Sequence, residues 1–391
     1  MRSHRTRILV SCAGVHGVQD GLTSTIYVLL PILAQSFGLG YAQIGTIRAV
    51  HSGLMWLLEI PAGILSERLG QHRLLVVGLM GAGIGYVSLS LAGGYHGVLL
   101  ALFVAGCGGA FQHSLCSSLI SGAFEGSGRR IALGTYNASG DTGKLVFTGI
   151  ASLLLGFGIG WQALVAGYGV LALFAAGVLW LGLRVVGLKA VAARESQAER
   201  RDVGWGIRDR VGFGGLAAIV FFDIAVQDGF LVFVAFLMLE KQVAPSLAAF
   251  AVVATLAGGV CGKFACGHLA ARIGVIRSLF LVETLTAVGI VTVFLAPTMT
   301  AFLLLPLLGV VLQGSSSITY GAVGNFVAEA RQSRGFAMIY TTANGASVAA
   351  PILFGVLADL FSVGTAIGAM AVVTLVPLPL CALLRAGLQR E

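Results

Sequence analysis

Apolar stretches of about twenty residues, parted by short polar or charged breaks, recur along the chain from Ile8 to Leu384. In helical form ~20 apolar residues cross a ~30 Å hydrocarbon core, so each stretch predicts a membrane-spanning helix. Charges and turn residues place spans near 8–34, 43–65, 74–93, 96–121, 131–157 and 161–183. Six more are predicted near 213–239, 246–267, 275–296, 299–326, 335–358 and 363–384. The longest polar stretch, 185–212, holds Lys189, Arg194, Glu195, Glu199, Arg200, Arg201 and Asp202. The expected organisation is all-α: a first six-helix bundle over 1–184, a cytoplasmic linker over 185–212 and a second bundle over 213–391.

The two halves repeat. VQDG at 18–21 returns at 226–229, and GILSERLGQHR at 63–73 is echoed by GHLAARIGVIR at 267–277, an offset of 204. The same offset pairs Glu125 with Glu329, Arg130 with Arg334 and Tyr136 with Tyr340. A register shared by separate regions indicates internal duplication. Parallel repeats of this kind occur in transporters whose two bundles rock about a central site.

Composition strengthens the membrane reading: 57% of residues are hydrophobic, 10% are charged and the mean hydropathy is +0.94. Soluble domains are about 25% charged. The 56 glycines suit close helix packing in a bilayer. A net charge of +8 raises the question of a nucleic-acid partner, but 20 of the 24 Lys and Arg lie at the termini and in alternate breaks. That asymmetry is the positive-inside signal; it puts both termini in the cytoplasm and excludes a polynucleotide partner. The six cysteines form no closely spaced loop pair, so no disulfide framework is expected. No nucleotide loop, nucleophile–base pair or paired His/Cys motif is present, so neither an enzyme nor a cofactor nor a metal site is expected.

GILSERLGQHR resembles the loop motif of the major facilitator superfamily, G-x-L-a-D-r-x-G-r-r/k. Gly63, Leu65, Arg68, Gly70 and Arg73 match, and Glu67 stands where Asp is usual. The second copy keeps Gly267, Leu269, Arg272 and Gly274, with Ala271 at the acidic position. Over roughly residues 12–150 the chain also resembles fosmidomycin-resistance-type exporters. His16 and Asp20 form an H-x-x-x-D pattern, followed by Pro31, FGLGYAQIG at 37–45 and GRRIALGTYNASGDTG at 128–143. It departs from them at Phe111-Gln112-His113-Ser114, where F-H-P is usual, at Phe147-Thr148, where Gly-Pro is usual, and at Lys144.

The resemblance implies a twelve-helix fold of two pseudo-symmetric bundles in a bacterial inner membrane, working as a monomer. Spans 1, 4, 7 and 10 would line the cavity, and the loop motif would latch the outward-facing state. It also implies proton-coupled efflux of a small organic molecule, with protons, solute and the lipid bilayer as partners. The alternative is a carrier of an organic anion or metabolite, motivated by Lys144, Lys263 and Arg48. A metal exporter and a non-transporting receptor are further alternatives.

A charge at mid-bilayer costs at least about 2.5 kcal/mol, so each intramembrane charge calls for a partner or a task. In span one, His16, Gln19, Asp20, Thr23 and Tyr27 fall on one helical stripe. Asp20 is read as a proton-coupling group with His16 one turn away; the alternative is a structural hydrogen bond. In span five, Asn137, Asp141 and Lys144 share a face, and Asp141 with Lys144 forms an i, i+3 pair. Lys144 left free would be an anion-binding group. In span seven, Asp223, Gln227 and Asp228 are coupling or cavity candidates. VQDG matches Asp228 to Asp20, while Asp223 has the more comparable depth. Gln112 and His113, Gln313, Ser317 and Tyr320, and Tyr340 and Asn344 are candidate substrate contacts, or polar groups facing a neighbouring helix.

Overall fold

In the computed structural model, residues 2–124, 126–186, 205–328 and 331–388 are described. Most of the 185–212 linker, together with Glu125 and Glu329, lies outside them. Helix follows helix with hardly any loop between. The order is α1 (Arg2–Phe37), α2 (Tyr41–Leu69), α3 (Gln71–Ser90), α4 (Tyr95–Gly109), α5 (His113–Ala123), α6 (Gly126–Gly156) and α7 (Trp161–Val186). There follow α8 (Arg210–Glu240), α9 (Pro245–Ile273), α10 (Val275–Leu295), α11 (Thr298–Phe326) and α12 (Gln332–Leu360). The chain closes with α13 (Val363–Val373), α14 (Pro377–Leu380), a 3₁₀ turn (Cys381–Leu384) and α15 (Arg385–Leu388).

Among the described residues, nine helical segments are long and apolar enough to cross a membrane, counting 95–123 and 363–388 as one segment each. Helices α1, α2 and α6 are as long but more polar, because they carry Asp20, Arg48, Glu59, Asp141 and Lys144. Two expected spans are interrupted. The fourth breaks at residues 110–112, where Phe111 and Gln112 donate to Gly108 and Gly109, three residues back, and overwind the turn. The last breaks after Val373, ahead of Pro377, whose ring nitrogen cannot donate. Apolar periodicity runs through both breaks, which is why the sequence reads them as continuous.

The loop motif folds as a corner. Gly70, with φ +87°, is the single residue between α2 and α3, and Gly274, with φ +85°, stands alone between α9 and α10. Only glycine adopts that conformation without strain. Gly63 and Glu67 lie in α2, where only their backbone is described. Arg68, Arg73 and Arg272 are exposed and Gly267 is half-buried.

The chain divides into two compact units. One holds residues up to Leu39 and then from Val50 through α7; the other holds Gly40–Ala49 and α8 to the end. In the second unit, the Asp359 carboxylate accepts hydrogen bonds from Tyr41 N at 2.7 Å and Ala42 N at 2.8 Å. It thereby satisfies two of the amides that a helix start leaves unpaired. Asp209 caps α8 in the same manner through Val211 N and Gly212 N. Lys241, at the end of α8, donates to the carbonyls of Phe294 and Ala296 at the end of α10. The core of this unit gathers Leu216, Ile219, Phe326 and Ile339, all fully buried.

Candidate functional site

In the first unit the site arises where α1 and α6 touch backbone to backbone. A Cβ added to Gly143 would lie 2.0 Å from Gly17 O, and one added to Gly140 would lie 2.5 Å from the His16 ring. Without side chains at these positions the helices close up, and the polar stripe of α1 meets Asp141 and Lys144 of α6. Asp20, only 6% exposed, becomes the hub. His16 Nε2 and Lys144 Nζ each lie 3.2 Å from Asp20 Oδ2, and His113 Nε2 of α5 lies 3.7 Å from Oδ1. Lys144 also donates to Asp141 Oδ1 at 3.4 Å.

The expected Asp141–Lys144 pair is therefore present, and Lys144 bridges it to Asp20, a link that spacing along one helix cannot reveal. The α4–α5 break helps set His113 beside Asp20. The His113 side chain stays 43% exposed and that of Lys144 32% exposed, so the hub is buried while two of its partners remain accessible.

The second layer of contacts constrains a proton. His16 Nδ1 lies 2.8 Å from the carbonyl oxygen of Tyr136. A carbonyl can only accept, so Nδ1 carries a hydrogen. In a neutral ring Nε2 then has a lone pair, and it would face the carboxylate lone pairs of Asp20. The 3.2 Å contact is attractive only when a proton sits between them, on Nε2 or on Oδ2. The Tyr136 ring stacks on His16 at 4.0 Å, and its hydroxyl accepts from Gln112 Nε2 at 3.0 Å. Tyr136 was not among the expected site residues, although its repeat partner Tyr340 was.

Ligand atoms of His16, Asp20 and His113 come within 4.8 Å of one another, the one such grouping among the described residues. The Lys144 ammonium already stands beside that carboxylate, so these donors answer to a built-in cation. Gln19 is buried with its amide toward Gly109, and Tyr27 is buried nearby on the same helix. Asn137 is exposed and is not drawn into the network.

The second unit places its polar residues differently. Asp223, 3% exposed, accepts a 2.7 Å hydrogen bond from Ser315 Oγ, and Gln227 Nε2 donates to the same hydroxyl at 3.3 Å. Asp228 is half-buried and interacts electrostatically with Tyr320. Tyr320 and Tyr340 pack ring to ring at 5.1 Å. Gln313 packs on Gly259, while Ser317 and Asn344 are half-buried. Sequence reasoning missed Glu283 of α10, 1% exposed, on which Asp223 acts electrostatically. Its signal was present as the lone acid within the apolar run of α10.

Comparisons with known proteins come to bear on this geometry. Residues 12–225 match the family described as Major Facilitator Superfamily. Over 308 residues the chain is 26% identical to a probable 4-methylmuconolactone transporter of Cupriavidus pinatubonensis (strain JMP 134 / LMG 1197), covering 77% of this chain and 71% of that protein. It is 27% identical over 170 residues to the uncharacterized MFS-type transporter YfnC of Bacillus subtilis (strain 168), covering 42% of this chain and 41% of that one. It is 28% identical over 140 residues to a fosmidomycin resistance protein of Escherichia coli (strain K12), covering 36% and 34%. These last two matches span less than half the length of those relatives.

Among solved structures, a bacterial homologue of the human lysosomal transporter Spinster, inward-facing and unoccupied, superposes with a TM-score of 0.78. The identity is 16%, with 100% of this chain and 96% of that one covered, which shows the shared fold. The family match takes in more than half of the sequence. The chain is a membrane transporter, not an enzyme, and it belongs to the Major Facilitator Superfamily.

Proposed function

We propose that this transporter couples proton entry to export of a small organic molecule, with the Asp20 network as the coupling element. In this reading α1, α2 and α6 also cross the membrane, giving twelve spans in two bundles. Both termini and the linker lie in the cytoplasm of a bacterial cell, and the protein works in the inner membrane as a monomer. The observation that carries the reading is the buried contact of His16 Nε2 with Asp20 Oδ2 at 3.2 Å, with His16 Nδ1 at 2.8 Å from the Tyr136 carbonyl.

A proton that settles on Asp20 removes the negative charge that holds Lys144 and draws His113 in. A solute that donates hydrogen bonds to ionised Asp20 therefore competes with the proton. Competition for one site is the thermodynamic condition for exchanging one against the other.

A second reading, a carrier of organic anions, draws on Lys144. When Asp20 is neutral, Lys144 keeps one counter-charge, Asp141, and can accept an anion in place of the other. The relative matched over 77% of this chain is named for a lactone. The two readings predict opposite proton movements. Purified protein in weakly buffered detergent is given 4-methylmuconolactone or fosmidomycin, with binding followed independently by thermal stabilisation. Export by exchange requires release of protons on binding, whereas an anion carrier takes them up. Asp20→Asn should abolish the proton signal in either case. A variant that still exchanges protons like the wild type removes Asp20 from the coupling role.

A further inference from the structure

Asp223 on α8 and Glu283 on α10 are buried acids from different helices, 3% and 1% exposed. Each has a carboxylate oxygen, Asp223 Oδ2 and Glu283 Oε1, that is buried without a hydrogen-bond partner among the described residues. Val220 and Val282, close to them in sequence on the same two helices, belong to one buried core cluster, and Asp223 acts electrostatically on Glu283. No Lys, Arg or His among the described residues pairs with either of them.

Asp223 acts electrostatically on Cys266 of α9 and Tyr320 of α11, and Glu283 on Cys381 of the 3₁₀ turn. Through Tyr320 the set extends to Asp228 of α8 and Tyr340 of α12. Every one of these is neutral or acidic. Two desolvated carboxylates with no cation cannot both stay charged, since an isolated buried charge costs far more than a buried neutral acid.

We propose that Asp223 and Glu283 form a second proton-binding site, confined to the second unit and independent of Asp20. Ser315 donates to Asp223 Oδ1, which leaves Asp223 Oδ2 and Glu283 Oε1 each without a partner among the described residues and able to carry a proton. The site deepens the proton-coupled reading, because each unit then carries its own protonatable acid. It does not depend on Asp20 being the coupler.

The test is the infrared spectrum of the purified full-length chain, followed through a pH titration in detergent with choline as the only other cation. The wild type should keep the absorption of a neutral carboxylic acid at neutral pH. The double variant Asp223→Asn, Glu283→Gln should lose it, while Asp20→Asn should keep it. Glu283→Asp, which retains a carboxyl on α10, should preserve the band and so separates loss of the acid from a general disturbance of the fold. A double variant with the wild-type band overturns the proposal. So does a band that vanishes when choline is replaced by Na⁺ at constant pH, which would make this a sodium site. Failure of proton release on solute binding would count against the Asp20 reading and leave this spectrum unchanged, so the two ideas fail separately.

Discussion

Asp20 in the first unit has Lys144 and His16 at 3.2 Å, whereas Asp223 in the second receives a hydroxyl from Ser315 at 2.7 Å and shares its surroundings with another acid. The register that aligns Gly70 with Gly274 shows how the difference arose. At that offset of 204, His113 corresponds to Ser317 and Lys144 to Val348, while the VQDG repeat, at an offset of 208, matches Asp20 to Asp228 and His16 to Ile224. The duplicated plan persists, but each nitrogen-bearing partner of the acid has been exchanged for an apolar or hydroxyl side chain. One unit balances its buried acid with cations; in the other, no Lys, Arg or His among the described residues pairs with Asp223. Charge chemistry here is a property of a few side chains on a shared scaffold.

The contrast can be broken by removing the cation. Lys144→Met leaves Asp20 and Asp141 facing each other without it, and breaking a buried pair in this way costs about 3–5 kcal/mol. Because the Lys144 side chain is 32% exposed, the low end of that range is expected, read as a large fall in thermal stability in detergent. Adding Asp20→Asn should recover much of the loss, by removing the stranded charge; no recovery would show that Lys144 acts through packing.

Gly143→Ala tests the approach of α1 and α6 instead of the charge. The new methyl would meet Gly17 O at 2.0 Å, so overpacking should cost about 2 kcal/mol and pull Lys144 away from Asp20. Lowered stability together with loss of the proton signal on solute binding is the expected result. A variant of wild-type stability would contradict the contact.

His16→Gln removes the ring that links Asp20 to Tyr136 O, and the loss of one buried hydrogen bond predicts about 1 kcal/mol. Its diagnostic effect lies in the pH profile of transport, which should move while maximal accumulation is largely kept. An unmoved profile would take His16 out of the proton path.

The smallest effect is expected in the second unit. Asp223→Asn strands no cation and keeps an acceptor for Ser315, so stability should change by less than about 1 kcal/mol. A loss as large as that of Lys144→Met would mean that the two units are electrostatically alike, and the comparison would fall.

Much of the architecture was legible because apolar length is a direct readout of bilayer thickness. The stripe from His16 to Tyr27 and the Asp141–Lys144 pair were legible too, since helical spacing alone puts those groups on one face. The Asp20–Lys144 link was not. It depends on which of 56 glycines bring two helices together, and Gly17, Gly140 and Gly143 look like many others in the chain. The break at residues 110–112 left no signal either, as Gly108 and Gly109 sit as readily in a packed membrane helix as in a turn. Glu283 was visible, a lone acid in an apolar run, but it lies outside the spans expected to line the cavity. Asp359 was passed over because its partners are the backbone amides of Tyr41 and Ala42, far away in sequence.

The one-residue corners have a mechanical meaning. At Gly70 the helical hydrogen bonds run up to the joint and resume at once: Gly70 N donates to Ser66 O at 2.9 Å, and Leu74 N donates to Gly70 O at 3.3 Å. The same bonds recur around Gly274, from Gly274 N to Ala270 O at 3.0 Å and from Ser278 N to Gly274 O at 3.1 Å. With a planar peptide on either side, only φ and ψ of the glycine remain soft. Any swing of α3 against α2, or of α10 against α9, has to pass through those two angles. Each corner behaves as a crank with two degrees of freedom, so tilting one arm must carry the foot of the other with it.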